Sequence, residues 1–209
     1  MNIKKVFLLV SLIVTAAQLS ACGAVGLAAG AGAAVGIASQ QEGGVSSAAT
    51  DVRIKAMIAD KWFKYKVDTF SKLSTTVNQG RVLITGVVQN PDDRVEAVRL
   101  AWQVEGVKQV INEIRVADSE GVPGFVRDTW ITTRLRTALT FDKEVGAINY
   151  TIDTVQGTVY LMGVARNQAE LDKVIEIARG IPNVKQVISY VKPLGEAVQG
   201  QEGQPWLQP

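Results

Sequence analysis

Residues 79–87, QGRVLITGV, and residues 156–164, QGTVYLMGV, decide the fold of this chain. Each opens on Gln-Gly, a tight-turn signal in which glycine supplies positive φ, and continues as a β-branched, apolar run. The run ends at a second glycine, so Gly80 and Gly157 are read as turn glycines and Gly86 and Gly163 as the residues that close the strand. The two stretches stand 77 residues apart, and the same offset, without a gap, aligns Asp51 with Asp128, Ile54 with Ile131, Asn90 with Asn167 and Ala101 with Ala178. It also aligns Val107-Lys108-Gln109-Val110 with Val184-Lys185-Gln186-Val187, so the chain is an internal repeat.

Working outward, each copy reads in the order αββαβ. A first helix carries Ile54, Ile58 and Ala59/Trp62 in copy one and Ile131, Leu135 and Ala138/Leu139 in copy two, at the spacing of a half-buried helix, with Asp51 and Asp128 as N-caps. A hairpin turns at each Gln-Gly. A second helix opens at Asn90-Pro91-Asp92 and at Asn167-Gln168-Ala169, with Val95, Val98 and Ala101, and Leu171, Ile175 and Ala178, facing inward. A last strand covers residues 110–116 and 187–191. The fold class is α+β: two modules, each a three-stranded mixed sheet covered on one face by two helices, with cores small enough that the modules are expected to pack together or rely on each other.

The remaining segments address the chain to a membrane. Residues 1–21 have a positive start at Lys4 and Lys5 and a twelve-residue apolar run too short to span a bilayer, as in a signal peptide. Leu19-Ser20-Ala21-Cys22 resembles a bacterial lipobox, which makes Cys22 the expected acylated (palmitate-type) anchor. Several acyl chains there make attachment effectively permanent. Gly23 in place of aspartate resembles the sorting pattern for export to the outer membrane, facing the periplasm. The expected divisions are 1–21 signal peptide, 22–49 anchor and tether, 50–118 module one, 119–126 linker, 127–193 module two and 194–209 tail. The Gly/Ala-rich residues 23–38 read either as a flexible tether or as a short membrane-lying segment.

Composition excludes much chemistry. With no histidine and one cysteine, a disulfide framework, a Cys/His zinc site, a histidine-held haem and any imidazole triad are absent. No phosphate loop or nucleophile elbow occurs, so neither an enzyme, a metal nor a cofactor is expected. Beyond residue 21 the chain carries 20 basic and 20 acidic residues, which argues against nucleic acid. Module one holds 11 basic and 9 acidic residues and module two 9 and 7, a small cationic surplus in each.

Helix, then Q-G-x-V-x-[IL]-x-G, then helix, then V-K-Q-V resembles the BON domain. Lipobox, small-residue tether and two such copies together are similar to the dual-BON outer-membrane lipoproteins of the DolP type over nearly the whole chain. The resemblance implies a non-enzymatic protein that binds anionic phospholipids such as phosphatidylglycerol and cardiolipin and supports envelope integrity. A protein-interaction scaffold for an envelope assembly or division complex is the alternative.

Trp130 is the residue that helical geometry singles out. It stands about 100° around the axis from Ile131, on the side of Arg134 and Thr137, so it flanks the core instead of filling it. An indole beside Arg127, Thr133 and Arg134 suits a phospholipid headgroup region, since the ring is amphipathic and guanidinium pairs with phosphate. Packing of Trp130 on module one or on residues 121–124 is the competing reading. Copy one has Arg53 at the equivalent place, so the copies are expected to differ in function. Trp62 and Trp102 are expected in the core or between modules.

Overall fold

A computed structural model describes residues 44–194. The signal segment, Cys22, most of the tether and the tail from residue 195, with Trp206, lie outside the described residues. Module one comprises α1 (Gly44–Phe70), β1 (Leu73–Asn78), β2 (Arg81–Val88), α2 (Pro91–Trp102) and β3 (Gln109–Val116). Module two comprises α3 (Gly121–Phe141), a short 3-10 turn (Ala147–Asn149), β4 (Tyr150–Val155), β5 (Thr158–Ala165), α4 (Gln168–Arg179) and β6 (Gln186–Pro193). In each sheet the middle strand of the sequence is also the middle strand in space: β2 pairs antiparallel with β1 and parallel with β3, and β5 likewise with β4 and β6.

The helices close one face of each sheet. Ile54, Ile58 and Trp62 of α1 and Ala97, Leu100 and Ala101 of α2 meet Val82, Ile84 and Val88; Ile131, Leu135 and Leu139 of α3 and Val174 and Ala178 of α4 meet Val159 and Leu161. The opposite faces of the two sheets pack on each other. Leu83 and Ile111 of one are buried against Val155, Tyr160 and Met162 of the other. The result is four layers, helix–sheet–sheet–helix, in which β2 and β5 are covered on both sides. That is why these strands read as continuous apolar runs and not as an alternation. Polar groups at this interface are paired: buried Arg81 donates through Nη1 to the Tyr190 carbonyl (2.9 Å) and through Nε to Gln109 Oε1 (3.0 Å), Thr85 to Asp153, and Tyr190 to Glu113.

Four sequence-based expectations are corrected here. First, Asp51 and Asp128 are not N-caps, because their helices begin seven residues earlier, at Gly44 and Gly121. Their carboxylates clamp the hairpin turn instead. Asp51 accepts from the backbone N–H of Gln79 (2.7 Å) and Gly80 (2.9 Å), and Asp128 from Gln156 (2.6 Å) and Gly157 (2.9 Å). Both turn residues have positive φ, 53° and 80° in copy one and 51° and 80° in copy two, so these amides point out of the ladder and need an acceptor. Asp128→Ala is expected to lower stability by about 2 kcal/mol, the worth of charge-assisted bonds lost from a part-buried turn, read as a lower midpoint in urea.

Second, residues 44–49 of the tether and 121–126 of the linker are helical. Pro123 falls in the first turn, where no N–H is needed. Third, Gly86 and Gly163 do not end their strands, which run on to Val88 and Ala165. Fourth, Ala59 and Val95 face solvent; the buried face of α2 is set by Ala97, Leu100 and Ala101, and Val95 lies off it.

Each α2/α4 start holds a buried carboxylate. Asp93 takes the Lys66 ammonium at 3.1 Å, at the point where α1 leaves helical geometry. Its counterpart is Glu170. Burial disfavours the Glu170 carboxylate, but bonds from the Arg166 guanidinium (3.0 Å) and from the N–H groups of Gly146 (2.6 Å) and Arg166 (2.9 Å) outweigh it and hold the carboxyl below its usual range. The stability this contributes is complete above about pH 4.3 and is lost as the pH falls through the depressed value. Glu170→Gln is therefore expected to lower the melting temperature at neutral pH and to flatten its decline between about pH 5 and pH 3.

Candidate functional site

The candidate site is the outward face of α3. Ile131, Leu135 and Leu139 turn this helix to its sheet, so Val126, Trp130, Thr133, Thr137 and Phe141, at steps of three and four, form the opposite face. Trp130 is 43% exposed. The Arg134 guanidinium lies over its ring at 5.9 Å from the centroid, a cation–π geometry within module two. Trp130, Thr133, Arg134, Thr137, Ala138 and Ile181 border an open groove of about 430 Å³. The Thr137 hydroxyl donates to the Thr133 carbonyl at 2.9 Å and that of Thr140 to the Arg136 carbonyl at 2.8 Å, so both are satisfied within the helix.

Trp130, Thr133 and Arg134 thus border one groove, and Arg127, one turn before Trp130 on the same helix, does not line it. Arg127 bridges Glu120 (2.5 Å) and Asp128 (3.0 Å), and this pairing holds the Glu120 carboxyl below its usual range. These pairs tie Arg127 to the start of α3 and to the Asp128 clamp. Arg53, the copy-one counterpart of Trp130, is exposed at 4.0 Å from Glu105. Trp62 is a core residue, stacked on Phe70 with centroids 5.5 Å apart and donating to the Ala97 carbonyl at 3.1 Å. Trp102 is half-buried at the end of α2.

Sequence reasoning missed the apolar residues that extend the site. Val122, Phe125 and Val126 fall within the expected linker and Phe141 outside every expected contact, yet all four are exposed. The signal was present: stepping by 3.6 residues from Trp130 in both directions lands on Val126 and Phe141. The helix also carries a single acidic residue, Asp128, whose carboxylate is committed to the hairpin turn, so no anion faces outward from α3. Among the described residues no helix is long and apolar enough to cross a membrane, and no three His, Cys, Asp or Glu side chains gather as metal ligands.

Comparison with known proteins gives the site a setting. A family model described as BON domain matches residues 50–118 and 127–192. The chain is 41% identical over 143 residues, covering 68% of this chain and 93% of the other, to an uncharacterised protein in the gshII 5′ region of Anaplasma centrale. It is 33% identical over 155 residues, 69% of this chain and 80% of the other, to the outer membrane lipoprotein DolP of Haemophilus influenzae. It is 29% identical over 150 residues, 71% and 73%, to the osmotically-inducible protein Y of Escherichia coli.

Proposed function

Because this chain belongs to the BON domain family and carries the module twice, we propose that it is a lipid-anchored outer-membrane protein, facing the periplasm, whose second module docks on anionic phospholipid through α3. The observation that carries this reading is Trp130: a half-exposed indole, stacked by Arg134, on a helix face free of carboxylates. The headgroup region accommodates the apolar body of such a ring and its N–H together, which water alone does not. Arg134 is the phosphate partner and Thr133 lies beside it. Val126 and Phe141, a turn and three turns away, add apolar area along the same line, so α3 lies flat on the leaflet.

The name of the Haemophilus relative and the lipobox ending at Cys22 support the anchor. Anchoring supplies what a surplus of two charges per module does not: it holds the module next to lipid at high local concentration, where each nearby cation contributes about 1 kcal/mol toward an anionic surface. Support of envelope integrity follows from a protein fixed to one leaflet and gripping its headgroups; no catalytic chemistry is assigned. The test is a titration of the acyl-free chain, from Gln41 onward, against vesicles with and without phosphatidylglycerol or cardiolipin. Binding that requires the anionic lipid, weakens with salt and survives Trp62→Phe supports the reading. Equal binding to neutral vesicles, or none to either, refutes it.

A further inference from the structure

We propose that the outward face of α1 is a self-association surface that docks antiparallel on α1 of a second copy of this chain. Opposite its core residues, α1 presents Ala49, Val52, Ala56, Ala59 and Phe63 at alternating steps of three and four, all exposed, with Val52 and Phe63 each at 69%. That spacing is the seam of a paired helix. The same positions of α3 are Val126, Thr129, Thr133, Arg136 and Thr140, so the seam belongs to copy one alone.

A helix fits this face better than a bilayer does. Three of its five residues are alanine, too small to insert deeply but suited to close backbone approach, whereas interface-lying helices rely on bulky side chains. The back-to-back sheets also place α1 and α3 on opposite outer faces, so an α3 seated on lipid turns α1 away from that surface.

Charge selects a second copy. Arg53 and Asp60 are seven residues apart on one flank of the seam, and an antiparallel two-fold axis beside Ala56 sets each Arg53 against the partner's Asp60. The same axis lays Phe63 over the partner's Ala49 and Val52, large against small. Both charges are held only by exposed surface pairs, Arg53 with Glu105 at 4.0 Å and Asp60 with Lys64 at 2.6 Å, which are readily exchanged. Two heptads span about 21 Å, less than an obligate interface, so the association is reversible and strengthened by confinement to a membrane plane.

Cysteine cross-linking of the full chain in detergent micelles tests this without involving lipid binding. Cys22 is the one native cysteine, so the parent chain reports its background. Ala56→Cys is expected to form a disulfide dimer under mild oxidation well above that background, and Thr137→Cys on α3 is not. Adding Arg53→Asp to Ala56→Cys is expected to cut the yield at least fivefold, and adding Asp60→Arg as well to restore it. Cross-linking of Ala56→Cys no greater than the parent's, or a yield indifferent to the charge swap, overturns the proposal.

Discussion

A chain carrying Trp130→Glu is expected to bind anionic vesicles about a hundredfold more weakly than the parent while keeping its fold. The indole is half exposed, so the substitution removes little from the core made by Ile131, Leu135 and Leu139. At the leaflet the loss is larger. Withdrawing an aromatic side chain from an apolar environment forfeits roughly 2 kcal/mol. A carboxylate facing anionic headgroups removes about 1 kcal/mol more, and 3 kcal/mol corresponds to roughly two decades in affinity. Cosedimentation with phosphatidylglycerol vesicles measures it, with circular dichroism to show that the fold is intact. Arg127→Gln gives the contrast: since Arg127 is held by Glu120 and Asp128, its loss is expected to act on stability more than on binding.

Gly163→Ala is expected to damage the fold severely for so small a change, lowering stability by at least about 3 kcal/mol and the melting temperature by about 10 °C. Gly163 lies within β5 at φ 141°, a conformation that side chains rarely adopt, and a Cβ there would collide with the backbone carbonyl of Asn149. Gly86 repeats the arrangement at φ 127°, with the Lys72 carbonyl 2.6 Å from the position of a Cβ. These obstacles are backbone atoms on the neighbouring chain segment, which cannot rotate aside. Gly180→Ala is the control, since its φ is −76° and the nearest atom would be in ordinary contact at 3.4 Å; it is expected to change stability by less than about 0.5 kcal/mol. Because the modules share the core of Leu83, Ile111, Val155, Tyr160 and Met162, thermal melting of Gly163→Ala is expected to destabilise both modules.

The repeat, the order of elements and the sheet type were legible because they rest on local signals: Gln-Gly turns, apolar strands, and Asn90 and Asn167 capping helices whose first-turn amides they accept. Asp51 and Asp128 misled because an aspartate near a helix start looks the same whether it caps its own helix or a turn 28 residues away. The partner is fixed by tertiary structure, which spacing along one helix does not encode. Pro123 with Gly121 and Gly124 concealed two further turns of α3, and with them the apolar extension of the site. The exposed position of Trp130 was legible from the helical period and from Ile131 beside it. The capture of Arg127 was not, since it depends on Glu120 folding back across the helix start. Back-to-back sheet packing left a trace that periodicity alone does not interpret: Leu83 between Val82 and Ile84, and Tyr160 between Val159 and Leu161, are apolar on both strand faces.

Contact between one indole and the acyl region is what the lipid-docking account stands on, and depth-resolved quenching measures it directly. Vesicles of phosphatidylglycerol brominated high on the acyl chain, titrated into the acyl-free chain, are predicted to quench tryptophan emission in the parent and to lose most of that effect in Trp130→Phe. Quenching that is equal in the two proteins, or absent from both at low ionic strength, would contradict the account.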